Sequence, residues 1–210
     1  MRITKFGHAC VRIEHDGAVV VLDPGVFTQP EALDGATAVL ITHEHPDHYH
    51  PPLLENNDAP IYTIGSVAAQ IQKGAPAVHE RTTVVKPGDT FDVGLPVTAI
   101  NEKHAVIHPE LPHIDNSGYL IQAGDTKIFH PGDALDGPGQ PVDVLFLPVS
   151  APWARSADLI DFAREVGASK TLAIHDRVYS EAGSKTFDTQ AGALIPAERG
   201  YVRLADGADL

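Results

Sequence analysis

Cysteine is nearly absent from this sequence. Cys10 is the only one among 210 residues, so no disulfide can form within the chain. A chain without disulfides suits a reducing compartment, and the apolar, strand-like surroundings of Cys10 predict a buried, unreactive thiol. No stretch approaches 18 consecutive apolar residues, which argues against a membrane-spanning helix. The first residues also lack the apolar core of a secretion signal, so we expect a cytoplasmic protein.

Basic residues are scarce as well. Lys and Arg total 15 against 28 Asp and Glu, and the formal net charge is −13. The basic residues are scattered, without a run of them. Such a surface repels nucleic acid and anionic membranes. We therefore expect a small-molecule substrate as the partner, and composition leaves the oligomeric state open.

The organisation of the chain predicts one domain over residues 1–210. Hydrophobic residues make up 43% of the sequence, which is ordinary for a globular protein, and no linker or low-complexity segment divides it. Short strands dominate, and amphipathic helices are predicted over 156–167, over 66–72 with Ser66 as the cap, and over 185–195. Hairpins with interspersed helices predict a sheet-on-sheet core with helices outside.

The densest chemical signal is residues 42–48, THEHPDH, which directly follow an apolar run predicted to be a buried strand. Its pattern is H-x-H-x-D-H, formed by His43, His45, Asp47 and His48. Imidazole and carboxylate suit zinc, iron and manganese. Four donors this close cannot all reach one ion from one rigid element, but on a turn alternate donors can face two ions. The motif therefore predicts metal-assisted hydrolysis, with a solvated histidine-rich loop as the alternative.

Three further apolar strands are each followed by a candidate donor. Residues 97–101 lead to His104, 126–129 lead to Asp133, and 171–174 lead to His175. The loop after residue 101 also contains His108 and His113, and His108 is the main competitor of His104, which comes soonest after its strand. If these strand ends meet at one edge, seven donors converge.

These motifs together resemble the metallo-β-lactamase fold superfamily of metallo-hydrolases. The features that match are residues 6–14 (FGHACVRIE), Asp23-Pro24, residues 42–48, Gly132-Asp133 and Ile174-His175, in the expected order. Within the superfamily the chain is similar to the compact branch that includes ascorbate-6-phosphate lactonase-like proteins and several uncharacterised zinc-dependent hydrolases. Segments that support this branch are NSGYL at 116–120, HPGD at 130–133 and LPVSAPW at 147–153.

The resemblance implies a single α/β domain, a four-layer αβ/βα sandwich of two mixed sheets with helices on both outer faces. It also implies a dinuclear metal site with two divalent ions, zinc first, with manganese or iron as alternatives. The implied ligands of the first ion are His43, His45 and His104. Those of the second are Asp47, His48 and His175, with Asp133 as the bridge. Asp47 would also be catalytic, by orienting the attacking hydroxide or passing a proton to the leaving group.

The expected activity is hydrolysis of a small ester, lactone or phosphodiester by a hydroxide bound between the two ions. A phosphodiesterase or nuclease of the same fold is the second hypothesis, and a non-catalytic or redox metal-binding protein is the third. Glu44 is compatible with a redox di-iron site, but such sites of this fold favour an acidic residue where this chain has His45. Asp23 is either a partner of a ligand imidazole or a turn residue. His8, which follows Gly7 at a strand start, is interpreted as structural, with a position facing the site as the alternative, and Trp153 as either a pocket or a core residue.

Overall fold

Apolar and alternating segments form thirteen strands in two sheets of the computed structural model, which describes residues 1–210. In the first sheet the strands lie side by side in chain order. The first three strands pair antiparallel with one another, and the pairs from the third strand to the sixth are parallel. Its members are β1 (Arg2–Lys5), β2 (Val11–His15), β3 (Ala18–Leu22), β4 (Ala38–Ile41), β5 (Ile61–Thr63) and β6 (Thr82–Val84).

The second sheet has the order β13-β12-β11-β10-β9-β8-β7. Here the strands from β7 to β10 pair antiparallel, and those from β10 to β13 pair parallel. Its members are β7 (Thr90–Asp92), β8 (Pro96–Ile100), β9 (Gly118–Ala123), β10 (Thr126–His130), β11 (Val144–Pro148), β12 (Lys170–Ile174) and β13 (Tyr201–Val202).

Helices cover the outer face of each sheet. The first sheet carries α1 (Pro51–Glu55), α2 (Gly65–Gly74) and α3 (Pro76–His79), and the second carries α4 (Ser156–Val166) and α5 (Glu181–Leu194). Two short 3₁₀ helices span Pro30–Leu33 and Ala197–Arg199. No helix combines the length and the apolar character needed to cross a membrane.

The core has three layers of apolar contact. A cluster of 21 buried residues fills the space between the two sheets, for example Val20, Leu40, Ile121 and Phe146. Two further clusters lie between each sheet and its helices. β4 is buried at all four positions because it is covered on both faces. The predicted sandwich of two mixed sheets with helices on both outer sides is confirmed.

Two predicted helix starts are wrong. α2 begins at Gly65 without a side-chain cap, because the Ser66 hydroxyl donates to Glu44 at 2.7 Å instead of accepting from the helix. α5 begins at Glu181, four residues before the predicted start, because Ser180 caps it by accepting from Gly183 N–H at 3.2 Å.

The C-terminal residues run beside β1 and hold it in place. Backbone bonds join Lys5 N–H to the Ala208 carbonyl at 3.1 Å and Leu210 N–H to the Ile3 carbonyl at 2.9 Å. The Lys5 side chain is buried, and its ammonium lies 2.9 Å from Asp206 and 3.1 Å from Asp176. A buried ammonium is retained only when it is paired in this way. The tail is therefore part of the packed domain.

Candidate metal centre

The seven predicted donors come together where strands of the two sheets end at the same edge of the sandwich. The first sheet supplies the segment after β4, and the second sheet supplies the segments after β8, β10 and β12. Residues at such positions are displayed by loops on a rigid scaffold. The donors are His43, His45, Asp47, His48, His104, Asp133 and His175.

One group of donors consists of His43, His45, His104 and Asp133, whose donor atoms lie within 4.8 Å of one another. His43 Nε2 faces His45 Nδ1 at 3.1 Å, and His104 Nε2 lies 3.3 Å from Asp133 Oδ2. Two ring nitrogens that face each other at this distance need a proton or a cation between them. His104, rather than His108, is the loop histidine that enters this group.

A second group consists of His8, Asp47, His48 and His175. His175 Nε2 lies 3.3 Å from Asp47 Oδ2 and 3.2 Å from Asp133 Oδ2, and His48 Nε2 lies 3.3 Å from Asp133 Oδ1. Asp133 therefore contacts both groups, with one oxygen toward His48 and the other toward His175 and His104.

The outward nitrogens of three imidazoles are each fixed by an acceptor. His48 Nδ1–H donates to Asp23 at 2.6 Å, and His175 Nδ1–H donates to the Ser150 carbonyl at 2.6 Å. His104 Nδ1–H donates to the Ala105 carbonyl at 2.5 Å. Histidines that bind metals almost always have such a partner, which sets the tautomer and turns the other nitrogen inward.

The donor atoms that face the interior of the cluster indicate which kind of group fits between them. Nε2 of His48, His104 and His175 and Oδ1 of Asp133 are buried and have no hydrogen-bond partner. Buried polar atoms nearly always have one, so four orphans around one space call for an explanation. Divalent cations satisfy all four atoms at once. A donor set of imidazole and carboxylate without sulfur suits zinc, manganese or iron.

The electrostatics of the cluster keep its carboxylates ionised. Burial favours the neutral acid, but His175 and His48 outweigh it and hold the pKa of Asp133 well below its usual range. Burial also favours the neutral form of Asp47, but its contacts with the His175 and His8 imidazoles lower the pKa of Asp47. Burial opposes protonation of His175, yet the Asp133 carboxylate raises its pKa to about 9. Burial lowers the pKa of His43 well below its usual value and so keeps it neutral. The carboxylates are thus anions that attract cations into the cluster.

Asp23 is a fully buried carboxylate behind His48. Besides His48, it accepts from Thr42 N–H at 2.7 Å and from the Thr42 hydroxyl at 2.8 Å. The same hydroxyl lies 3.0 Å from His43 Nδ1, so it accepts from that ring while it donates to Asp23. Of the two interpretations of Asp23, the contact with a candidate ligand imidazole is the one that the structure shows.

The loop between β8 and β9 holds three histidines in different roles. His113 Nε2–H donates to the His104 carbonyl at 2.6 Å and so supports the donor, whereas His108 is exposed. This loop lines a cavity of about 360 Å³ beside His104. Trp153 contacts the donor cluster directly, because its Nε1–H donates to Asp133 Oδ2 at 3.2 Å and its ring lies 5.6 Å from that of His104.

Some of these contacts left no signal in the sequence. The carbonyls of Ala105 and Ser150 are backbone groups that any residue supplies. His8 was interpreted as structural, but its Nε2 lies 3.0 Å from Asp47 Oδ2. The only hint was its place after Gly7 at a strand start, in a segment that also carries the family resemblance.

A sandwich of two mixed sheets with histidines and aspartates gathered at one edge defines a class of metal-binding α/β domains. The family model described as the beta-lactamase superfamily domain matches residues 2–175, and the chain belongs to this superfamily.

Similar proteins and structures match most of the length of this chain. A Mycobacterium tuberculosis protein, Rv0786c, is 40% identical over 189 residues, which is 85% of each chain. A UPF0173 metal-dependent hydrolase of Exiguobacterium sp. is 27% identical and covers 83% of this chain and 85% of its own. Igni18, a metallo hydrolase of Ignicoccus hospitalis, superposes with a TM-score of 0.75 at 17% identity, over 100% of this chain and 97% of its own. The chain is thus an enzyme of this superfamily, a metal-dependent hydrolase.

Proposed function

We propose that the protein hydrolyses a small, uncharged ester or lactone with two divalent metal ions held by the seven donors. The observation that carries this proposal is the set of four buried, unpartnered atoms, which come from both donor groups. When bound, two such ions supply a hydroxide nucleophile near neutral pH and stabilise the developing oxyanion.

The donors divide into two sets with one shared residue. His43 through Nε2, His45 through Nδ1 and His104 through Nε2 hold the first ion. Asp47, His48 and His175 hold the second. Asp133 would bridge the sets, because its Oδ2 lies 3.3 Å from His104 Nε2 of the first set and 3.2 Å from His175 Nε2 of the second. Among the candidate metals zinc is proposed first, because it accepts imidazole and carboxylate ligands and supports hydrolysis without redox chemistry.

Asp47 is the proposed proton carrier. Its side chain is 24% exposed, whereas that of Asp133 is 2% exposed, so Asp47 is the acidic donor that reaches the entrance of the site. Its contacts with His8 and His175 both use Oδ2, and Oδ1 makes no hydrogen bond within the protein. A carboxylate at this position can take up the proton that the attacking nucleophile releases and pass it to the leaving alkoxide.

The surroundings of the centre favour an uncharged carbonyl substrate over a phosphodiester. Of the large apolar side chains that are exposed on the whole protein, most lie in the segments that follow candidate donors or Asp23; these are Val26, Phe27, Val106, Ile107, Leu111 and Val178. The cations nearest to the donors in sequence are already paired, Lys103 with Asp115 at 2.5 Å and Arg177 with Asp206. A phosphoryl group is better matched by free Arg or Lys side chains.

The test combines metal analysis with a substrate screen. Purified protein should hold about two transition-metal ions per chain and hydrolyse lactones or esters in preference to phosphodiesters, thioesters and β-lactams. The His45→Ala/Asp133→Ala double variant should lose metal and activity, while a His79→Ala/Asp125→Ala control, outside the cluster, should keep both. Full metal content in the first variant would overturn the ligand assignment.

Two other outcomes favour the competing hypotheses. Two bound ions without turnover of any substrate class would favour a non-catalytic metal-binding protein, since a closed site lacks an open coordination position. A visible absorption band together with iron as the bound metal would favour a redox protein of the same fold. Preference for phosphodiesters would favour the phosphodiesterase.

A further inference from the structure

His8 is a buried histidine that lies against the proposed second ion site without belonging to the seven donors. It is bound to the segment after β12 in two ways. The His8 carbonyl accepts from His175 N–H at 2.9 Å, and His8 Nδ1 accepts from Arg177 N–H at 3.0 Å. Its ring also packs on that of His175, with centroids 4.0 Å apart. The imidazole is therefore fixed in place.

Judged by distance alone, His8 is a candidate metal ligand. Its Nε2 belongs to a group with donor atoms of Asp47, His48 and His175 that all lie within 4.8 Å. The hydrogen bonds argue against ligation. A backbone N–H can only donate, so the Arg177 N–H at 3.0 Å requires an unprotonated Nδ1 on His8. A neutral imidazole whose Nδ1 is unprotonated carries its proton on Nε2.

We infer that His8 is a positioning residue, which donates its Nε2–H to Asp47 Oδ2 and does not bind metal. The distance between these two atoms is 3.0 Å. This inference rests on the proposed function only for the role of Asp47; the tautomer of His8 follows from its own contacts.

The hydrogen bond decides which oxygen of Asp47 is free. Oδ2 accepts from His8 and lies 3.3 Å from His175 Nε2, so the carboxylate is fixed through one oxygen, and Oδ1 makes no hydrogen bond within the protein. Without the bond, the half-exposed Asp47 can rotate about its side-chain torsions. We expect the loss to reduce turnover, while the buried donors still hold the metal ions.

The backbone at His8 adopts a strained conformation. His8 has a φ of +47°, and Asp23 and His175 are two of the four other non-glycine residues with positive φ. Such conformations cost about 1–3 kcal/mol each and cluster at functional sites. Gly7 makes the turn possible, since a Cβ there would lie 2.3 Å from the Phe27 carbonyl oxygen. The turn aims the imidazole at Asp47.

Two substitutions at His8 separate positioning from a structural role. In His8→Gln the amide NH₂ replaces the Nε2–H donor toward Asp47, and in His8→Asn the amide oxygen replaces only the Nδ1 acceptor toward Arg177. We expect His8→Asn to lower kcat about 10–100-fold with little change in KM, and His8→Gln to recover most of that loss. Metal content should stay at the wild-type value in both, with thermal unfolding as the check on folding.

The opposite pattern would overturn the inference. If His8→Asn is active while His8→Gln is folded but inactive, turnover depends on the hydrogen bond from Arg177 N–H and not on the one to Asp47. Loss of one metal equivalent in either folded variant would show that His8 is a ligand.

A spectroscopic measurement tests the tautomer without any turnover. Long-range ¹H–¹⁵N spectra of the metal-free and metal-loaded protein should show a protonated Nε2 and an unprotonated Nδ1 on His8 in both states. A proton on Nδ1 in the loaded protein would refute the inference even if hydrolysis is found. If no hydrolysis is found but the tautomer is as expected, the proposed function fails and the assignment of His8 stands.

Discussion

The hydrogen bond between Asp23 and His48 predicts a large effect of the nearly isosteric change Asp23→Asn. The carboxylate accepts from His48 Nδ1–H at 2.6 Å and from both Thr42 donors. Asparagine keeps one oxygen for Thr42 N–H, but its NH₂ then faces the His48 N–H, and two donors cannot bond to each other. Asparagine tolerates the φ of +47° found at this position, so the backbone is not perturbed.

The magnitude follows from the type of contact that is lost. A hydrogen bond to a charged group contributes about 1.5–3 kcal/mol. Replacing the outer partner of a metal-binding histidine weakens metal affinity about 10–100-fold, which corresponds to about 1.4–2.7 kcal/mol. The two estimates agree. The second ion of the proposed centre, which His48 would help to hold, should therefore bind about 10–100-fold more weakly, and the proposed first ion at His43, His45 and His104 should change less.

Competition with a chromophoric chelator measures both affinities on the purified protein. Asp209→Asn is the control, because Asp209 is a carboxylate at the protein surface that pairs with Arg2 and lies outside the donor set. If His48→Ala weakens one site strongly and Asp23→Asn leaves it within twofold of wild type, the reasoning is wrong. That result would mean that the Asp23 contact does not hold the imidazole in its ligating orientation.

Two further predictions concern Cys10 and Gly132. Burial raises the pKa of the Cys10 thiol to about 12, so a thiol reagent at pH 8 should find no reactive thiol in the native protein and one after denaturation. Between the ordinary thiol pKa of 9.0 and about 12 only the unfolded chain releases this proton, so the free energy of unfolding should fall as pH rises through that interval, as measured by urea titration. Gly132→Ala should destabilise the fold by more than about 1 kcal/mol and reduce metal content, because its φ is +62° and a Cβ would lie 2.2 Å from Asn116 Oδ1.

Matched measurements decide both predictions. Rapid modification of Cys10 in protein that remains folded would contradict its burial. For Gly132, the control is Gly139→Ala, which has a similar φ of +67° but no neighbour within 4 Å of the added Cβ. Equal losses of stability in the two variants would show that backbone strain, and not the clash beside Asp133, causes the effect.

The strand ends are the part of the structure that could be predicted from sequence. Apolar runs stop where polar donors begin, and this local contrast located residues 43–48, Asp133 and His175 without any knowledge of their neighbours. Contacts between distant segments were out of reach. The bonds from His8 to Asp47 and to Arg177 depend on how two sheets dock, and no local pattern reports that. The prediction that Ser66 caps α2 is wrong for the same reason, because the Ser66 hydroxyl donates its hydrogen bond to Glu44, a residue distant in sequence.

The division of the donors between the two sheets has a consequence for how the protein matures. Residues 43–48 follow a strand of the first sheet, whereas His104, Asp133 and His175 follow strands of the second. Neither half of the chain can complete the centre, so a nascent chain cannot capture its full metal complement before β12 has been synthesised and docked. In the proposed assignment each ion joins donors from both halves and so holds the two sheets together. Removal of the ions by a chelator should therefore accelerate unfolding and proteolysis, because the ions bind the folded sandwich and not the unfolded chain.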